Sequence, residues 1–211
     1  VADVPIGLFE QGDRDGDEEL VRECDRLARE VIGARYRSVF NPPAREVARK
    51  ASNGESYEEV KELHEEITGK GLTQQAYAVA SGIAEVDKLV SNGIDGELLE
   101  GHPEVSFAAL GGEISYSKKT AAGVHERLAA LEVVNGDALE MVREICGQVV
   151  EEDHEIGFDD VLDALVLAYT AGYSNKEQQF LPTEPQEMGS NRSMQIVYPS
   201  DRTFASKELG D

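Results

Sequence analysis

The sequence predicts an α/β protein, in which short buried strands are separated by long amphipathic helices. Residues 1–8 are mostly apolar and run into a turn, as expected for the end of a buried strand. A second strand is predicted near 97–100. Most of the remaining chain carries apolar residues at a spacing of three or four, which is typical of helices packed on a core. A length of 211 residues suits one domain, so 1–211 is predicted to fold as a single unit.

Residues 12–92, between the two strand segments, are predicted to form an all-helical insertion. Gly33 ends the first helix, Pro42-Pro43 can begin the second, Ser56 with Glu59 forms a capping box, and Thr73 opens the last. The predicted helices of this insertion are 18–32, 43–52, 56–69 and 73–91.

The second half of the chain is predicted to return to the sheet and then to form three helices. The sheet resumes near 97–100, bends at His102-Pro103-Glu104 and is followed by Val105 to Leu110. Residues 174–211 form an extended polar tail, in which the apolar run 194–198 indicates a late strand. The predicted helices are 120–134, 137–152 and 158–172.

The charge of the chain is strongly acidic. There are 42 Asp and Glu against 20 Lys and Arg, and the formal net charge is -22. Because only eight of the basic residues are Lys and the acid is spread over most elements, we favour a halophilic protein over an acidic binder of basic partners. The chain contains neither a membrane-length apolar run nor a signal peptide pattern, so a cytoplasmic location is predicted.

Two carboxylates open the predicted helix 158–172. Asp160 and Asp163 are three residues apart, which places them on one face about one turn from each other. Carboxylates at the edge of a packed helix are costly unless a cation or donor satisfies them. The pair is therefore a candidate for part of a magnesium site. The alternative is that Asp159 and Asp160 favour the helix N-terminus and Asp163 is solvated.

Two basic segments are candidates for binding phosphate. Lys118, Lys119 and Thr120 precede a helix N-terminus, where exposed amides attract anions; the alternative is a capping Thr120 with two solubilising lysines. Residues 31–53 carry a local net charge of +4 in an otherwise acidic chain. The arginines of this stretch are Arg35, Arg37, Arg45 and Arg49. His64, His125 and His154 lie in acidic helical contexts and are predicted to be exposed.

Several motifs occur in one order along nearly the whole chain: VADVPIGL, SVFNPP, TGKGLTQQAYAV, EVD, EGHPEVSFAAL, SKKTAAGVHERL, DDVLDALVLA and MQIVYP. In this combination the chain resembles the family of predicted RNase H-like nucleases called domain of unknown function 429. The resemblance implies an RNase H-like mixed sheet flanked by helices, near the Holliday-junction resolvase branch. It also implies that the N-terminal strands, with a first-strand Asp, are missing from this chain and lie upstream.

The resemblance implies a metal-dependent phosphodiester hydrolase. Asp3, Asp160 and Asp163 would hold Mg²⁺ or Mn²⁺, and Glu104 of the H-P-E motif would join them as a catalytic acid. Lys118 or Lys119 would bind phosphate, and the arginines of 31–53 would follow a DNA or RNA backbone. Two other functions stay open: a non-catalytic nucleic-acid- or nucleotide-binding module, and an acidic protein-interaction domain. An exposed sheet edge favours a homodimer.

Overall fold

A computed structural model describes residues 1–111, 114–151, 156–173, 178–188 and 192–199 of the chain. The predicted α/β class is confirmed: the described residues form eight α-helices, a 3₁₀ helix at Gly33–Ser38 and one two-stranded antiparallel sheet. The helices are α1 Glu23–Ile32, α2 Arg45–Ser52, α3 Tyr57–Thr68, α4 Gln74–Asn92, α5 Pro103–Gly111, α6 Ala121–Val134, α7 Ala138–Glu151 and α8 Phe158–Gly172. The strands are β1 Gln178–Met188 and β2 Arg192–Pro199.

The sheet is a hairpin with two short segments bridged to it. β2 contains the predicted late strand 194–198, and the rest of the tail from 200 onward lies outside the described residues. Parallel bridges join Val197 to Gly101 and Glu100 to Ala2. The chain segments at 1–3 and 99–101 therefore lie side by side next to β2, so Asp3 and the bend at 102 are close although they are far apart in sequence.

β1 was not predicted, because it contains Pro182 and Pro185. A proline cannot donate a ladder hydrogen bond, so prolines in sheets are confined to edges and irregular positions. β1 meets this condition, since β2 is its only paired strand in the described chain. The regular register also breaks between Leu181 and Gln186, and both prolines lie in this break.

Residues 105–110 do not extend the sheet but belong to α5. Pro103 occupies the first helical position, where its missing N–H costs nothing. The carbonyl of His102 accepts hydrogen bonds from Val105 N (3.0 Å) and Ser106 N (3.1 Å). Every residue from 103 to 110 is buried, so this helix has no polar face and lacks the periodicity that would have predicted it.

The core is divided by α5. Val105 and Ala109 pack with α1 and the hairpin, whereas Phe107 and Leu110 pack with α6, α7 and α8. A further cluster holds α2, α3 and α4 together; it includes Val47, Val60, Ile67, Leu72 and Ala76. The insertion thus has apolar contacts of its own beside the site that the remaining elements build.

The capping signals at Ser56, Gly69 and Thr73 are confirmed, but α2 begins at Arg45 rather than at 43. Ser56 N donates to Glu59 Oε2 (2.7 Å), Gly69 ends α3 at φ 72°, and Thr73 Oγ1 accepts from Ala76 N (3.1 Å). α1 begins at Glu23 rather than at 18, because Arg22 is extended and buried. That 12–92 is an insertion within a single domain stays a prediction.

The prediction that His64 is exposed was wrong. His64 is 2% exposed, and its Nδ1 accepts a hydrogen bond from Ala44 N (3.2 Å). Burial lowers the pKa of His64 to about 4, so the ring is neutral. His125 is exposed as predicted, and His154 lies outside the described residues. No described helix combines the length and apolarity that crossing a membrane requires.

Candidate functional site

A cavity of about 600 Å³ lies between the end of the segment 1–3, α5, α8 and the helical insertion. It brings together residues that the sequence places up to 193 positions apart, from Asp3 to Ile196 of β2. The predicted site residues that line it are Asp3, Arg35, Glu104, Lys118 and Asp163. Three carboxylates and two cations therefore share one cavity, and their pairing decides which of them are available to a ligand.

Asp3 is the least satisfied of these carboxylates. Within the described chain it has neither a hydrogen bond nor an ion pair, and part of it is open to solvent in the cavity. Burial by the surrounding protein, the charge of Asp163 and, more weakly, that of Glu104 raise the pKa of Asp3 to about 6, against the opposing effect of Lys118. An approaching cation would remove this repulsion between carboxylates.

Asp163 is paired with a lysine from the N-terminus of α6. Lys118 Nζ lies 2.5 Å from Asp163 Oδ2 and 3.4 Å from Asp159 Oδ2. Burial raises the pKa of Asp163, although its hydrogen bond from Lys118 opposes the change. For Lys118, burial lowers the pKa, but the two aspartates outweigh it and the net direction is upward. The predicted acidic and basic motifs thus neutralise each other at the rim of the cavity.

Asp160 does not line the cavity. It is exposed and its Oδ2 accepts a hydrogen bond from Gly157 N (3.1 Å), so it caps the first turn of α8. Asp159 is instead the buried neighbour, and Lys119 Nζ donates to its Oδ1 at 2.8 Å. The hydrogen bond from Lys119 lowers the pKa of Asp159. The placement of Asp160 corresponds to the helix-capping alternative.

Thr120 also has a capping role. Its Oγ1 accepts a hydrogen bond from Gly123 N (3.1 Å) and donates to Ser117 O (2.8 Å). These two bonds fix the turn that presents Lys118 and Lys119 to α8. Gly123 must be glycine here, because a Cβ would collide with the carbonyl of Ser117.

Glu104 is held by a fully buried arginine. Arg127 Nη2 donates to both carboxylate oxygens of Glu104, at 2.5 and 2.7 Å. Arg127 Nη1 donates to Gly123 O (2.7 Å), and the guanidinium carbon lies 5.6 Å from the centroid of the Phe107 ring. Because Glu104 is 6% exposed and fully paired, it contributes negative charge to the cavity while its position is determined by Arg127.

His102 lies at the N-terminus of α5 and lines the same cavity. Burial lowers the pKa of His102, while the charge of Glu104 and a hydrogen bond with the Ser38 backbone act in the opposite direction. Its Nδ1 is buried and has no hydrogen-bond partner in the described residues. Because Nδ1 is not accessible, the ring lines the cavity through its other atoms.

The predicted arginines of 31–53 do not form one surface. Arg35 lines the cavity, and its Nη2 lies 4.0 Å from Glu104 Oε1. Arg37 is exposed on the 3₁₀ helix and donates to the hydroxyl of Tyr36 (3.1 Å). Arg45 is buried between Glu10 (2.6 Å) and Asp87 (3.2 Å), which leaves its charge neutralised within the fold. Arg49 is exposed and pairs with Glu46 at 3.6 Å.

A second buried charge cluster was missed by the sequence analysis. Arg22 pairs with Glu100 and with Asp25, and Glu100 Oε2 also accepts from Ile6 N (2.6 Å). Burial raises the pKa of Glu100, and Arg22 opposes it. Asp25 and Glu100 reach the floor of the cavity. No local spacing could have linked these residues, because Arg22 and Glu100 are 78 positions apart.

This second cluster also brings Cys24 close to Asp25 and Glu100, with potential ligand atoms within 4.8 Å of one another. The Arg22 guanidinium already supplies positive charge there. We therefore interpret the cluster as part of the protein's internal support, lying beneath the cavity.

One family model matches the chain over residues 1–187; its description is "Protein of unknown function (DUF429)". The chain belongs to this family. The DUF429 match includes the cavity residues Asp3, Glu104, Lys118 and Asp163. Comparisons with curated proteins and with solved structures gave no match.

Proposed function

We propose that this DUF429 protein is a metal-dependent phosphodiester hydrolase with an RNase H-like active site, near the Holliday-junction resolvase branch. The observation that carries the proposal is the convergence of Asp3 and Asp163 on one cavity, where Asp3 has no protein cation of its own.

The donor set fits Mg²⁺ or Mn²⁺. Carboxylate oxygens are the ligands that these hard cations prefer, and Asp3 and Asp163 would supply them. Burial first, and then repulsion from Asp163, raises the pKa of Asp3, so a cation between the two acids would stabilise both ionised forms. When bound, the metal would activate water and stabilise the leaving oxygen of a phosphodiester.

The other cavity residues would position the substrate. Lys118 carries its charge at the rim, where it can exchange its contact with Asp163 for a phosphate oxygen. Arg35, which also lines the cavity, offers a second cation. Glu104 stays paired with Arg127.

Metal titration tests this proposal. Mn²⁺ binding is measured by calorimetry in molar KCl for the parent chain, Asp3→Asn, Asp163→Asn and the matched control Asp160→Asn. We expect saturable binding in the parent and the control, and its loss in the other two variants, because Asp3 and Asp163 line the cavity and Asp160 does not. Equal binding in all four proteins contradicts the assignment of this site.

A non-catalytic nucleotide- or nucleic-acid-binding module is the second candidate function. It is favoured by one specific observation: each of the other acids that line the cavity is ion-paired within the described chain, which leaves Asp3 as the one without a protein cation. A parent chain that binds nucleotide but gives no heat with Mn²⁺ supports this second candidate over the hydrolase.

A further inference from the structure

One wall of the cavity belongs to α4 of the helical insertion and is mostly apolar, with Gln75 as its polar member. Ala78, Val79, Gly82 and Ile83 of α4 line it, and their spacing of three and four residues places them on one helix face. Ala78, Val79 and Gly82 are exposed, so this stripe is not covered by the fold. The half-buried ring of Phe40 continues the same wall.

Gly82 is the one position of this stripe without a side chain. A glycine inside a helix is less favourable than an alanine. The fold does not require it at this position, because a Cβ on Gly82 would meet no atom within 4 Å. This contrasts with Gly123, where neighbouring backbone leaves no room for a Cβ. The absent side chain of Gly82 instead leaves open volume in the cavity.

Arg35 supplies an anion-binding group between the two walls. Its only ion pair within the described chain is the 4.0 Å contact with Glu104, and its side chain, which lines the cavity, is 26% exposed. Arg127, by comparison, makes a bidentate pair with the same carboxylate. Arg35 therefore keeps unused donors that match a phosphate group.

We infer that the cavity binds a single nucleotide unit, with its base against α4 and Phe40 and its phosphate at Arg35. This deepens the proposed function, on which it rests, by naming the substrate class as mononucleotide or single-stranded phosphodiester rather than duplex. A volume of about 600 Å³ lies in the range of about 300–1,000 Å³ typical of small-molecule sites. A net charge of -22 also opposes nonspecific binding of a long duplex.

The mixed character of the cavity distinguishes this ligand from simpler ones. Inorganic phosphate would use Arg35 but leave the apolar stripe of α4 open. An apolar molecule would use the stripe but leave the partly exposed guanidinium of Arg35 without a ligand contact. A planar base joined to a phosphate would contact the apolar stripe with its base and Arg35 with its phosphate. Stacking on an aromatic side chain tolerates any base.

Equilibrium dialysis without divalent metal tests the base-binding wall. The probes are the four ribonucleoside 5′-monophosphates, short single-stranded oligo(A) and an RNA duplex of equal length. The variant Gly82→Leu fills the cavity, and Gly147→Leu is the control, since Gly147 is an exposed glycine inside α7 with open space around its Cβ. We expect at least tenfold weaker monophosphate binding for Gly82→Leu and parent-like binding for Gly147→Leu.

A second pair of variants tests the phosphate contact. Arg35→Gln is compared with Arg37→Gln, its exposed neighbour on the same 3₁₀ helix, using adenosine and adenosine 5′-monophosphate as probes. We expect Arg35→Gln to lose about tenfold in affinity for the monophosphate alone, whereas Arg37→Gln behaves as the parent. Preference for the monophosphate identifies a free nucleotide as ligand, and preference for oligo(A) identifies a strand; both support the inference.

Three results overturn the inference: no monophosphate or single-stranded oligo(A) binding by the parent, equal affinity of Gly82→Leu and parent, or tighter binding of the duplex than of every single nucleotide and strand. Because dialysis is done without metal, its outcome is separate from the Mn²⁺ titration. Nucleotide binding without Mn²⁺ binding rejects the hydrolase and keeps the ligand class. Mn²⁺ binding without nucleotide binding supports the metal site and rejects a nucleotide as the ligand.

Discussion

Glu104 and Asp3 are carboxylates of the same cavity with opposite surroundings. Glu104 is 6% exposed and receives two hydrogen bonds from the buried Arg127. Asp3 has no such partner in the described chain, and its pKa is raised to about 6 by burial and neighbouring negative charge. Two acids of one cavity can therefore have different roles: Glu104 maintains the structure, whereas Asp3 is available to a ligand.

The largest expected effect comes from breaking the paired side of this comparison. Arg127→Met leaves Glu104 buried without its cation, which typically costs about 3 to 5 kcal/mol in the free energy of unfolding. Urea unfolding in molar KCl measures it. Arg143→Met is the control, because Arg143 and its partner Glu140 are both exposed and such pairs contribute at most about 1 kcal/mol. Similar losses in both variants would mean that Arg127 does not stabilise Glu104.

His64 lies outside the cavity, and because it is buried and neutral, it makes the free energy of unfolding depend on pH. The pKa of His64 is about 4 in the folded protein against an ordinary 6.5, so the unfolded chain binds the proton more readily between these values. Stability is therefore highest above pH 6.5 and falls as the pH decreases toward 4. Between about pH 7 and about pH 5 we expect His64 to contribute a loss of about 1 to 2 kcal/mol.

The measurement for His64 compares the parent with His64→Asn, which keeps a neutral acceptor for Ala44 N. Between about pH 7 and about pH 5, the free energy of unfolding of His64→Asn should fall by about 1 to 2 kcal/mol less than that of the parent. His125→Asn controls for loss of an exposed histidine and should titrate like the parent. A parent and His64→Asn variant with parallel pH profiles would show that His64 is not held neutral.

The smallest effect is expected for Asp3, which has no ion pair within the described chain. Asp3→Asn removes repulsion between Asp3 and the acids Asp163 and Glu104, so in the absence of divalent metal the free energy of unfolding should rise by about 0.5 kcal/mol. Asp95→Asn, on an exposed loop, removes the same charge and should change it less. If Asp3→Asn instead destabilises the protein, Asp3 has a structural role like that of Glu104.

The opposite signs expected for Arg127→Met and Asp3→Asn are the informative part of this series. A residue that stabilises the fold loses free energy when its partner is removed. A residue kept for a ligand at the expense of stability gains free energy when it is neutralised. Measuring both variants in one buffer separates these two roles within a single cavity.

The sequence by itself determined the elements whose signals are local. Helix ends at Gly33, Gly69 and Thr73 were predictable because a cap satisfies backbone groups within a few residues of itself. The late strand and the family resemblance were also readable from short segments. Asp3, Glu104 and Asp163 could be named as candidates, since each stands in a motif of its own.

Only the tertiary structure decided how these candidates are paired. It assigned Arg127 to Glu104, Lys118 to Asp163 and Arg22 to Glu100. It also turned Asp160 toward Gly157 and made a buried helix of 103–111. The physical reason is that ion pairing and burial depend on distances between remote segments. Periodicity and capping, in contrast, report only on neighbours along the chain.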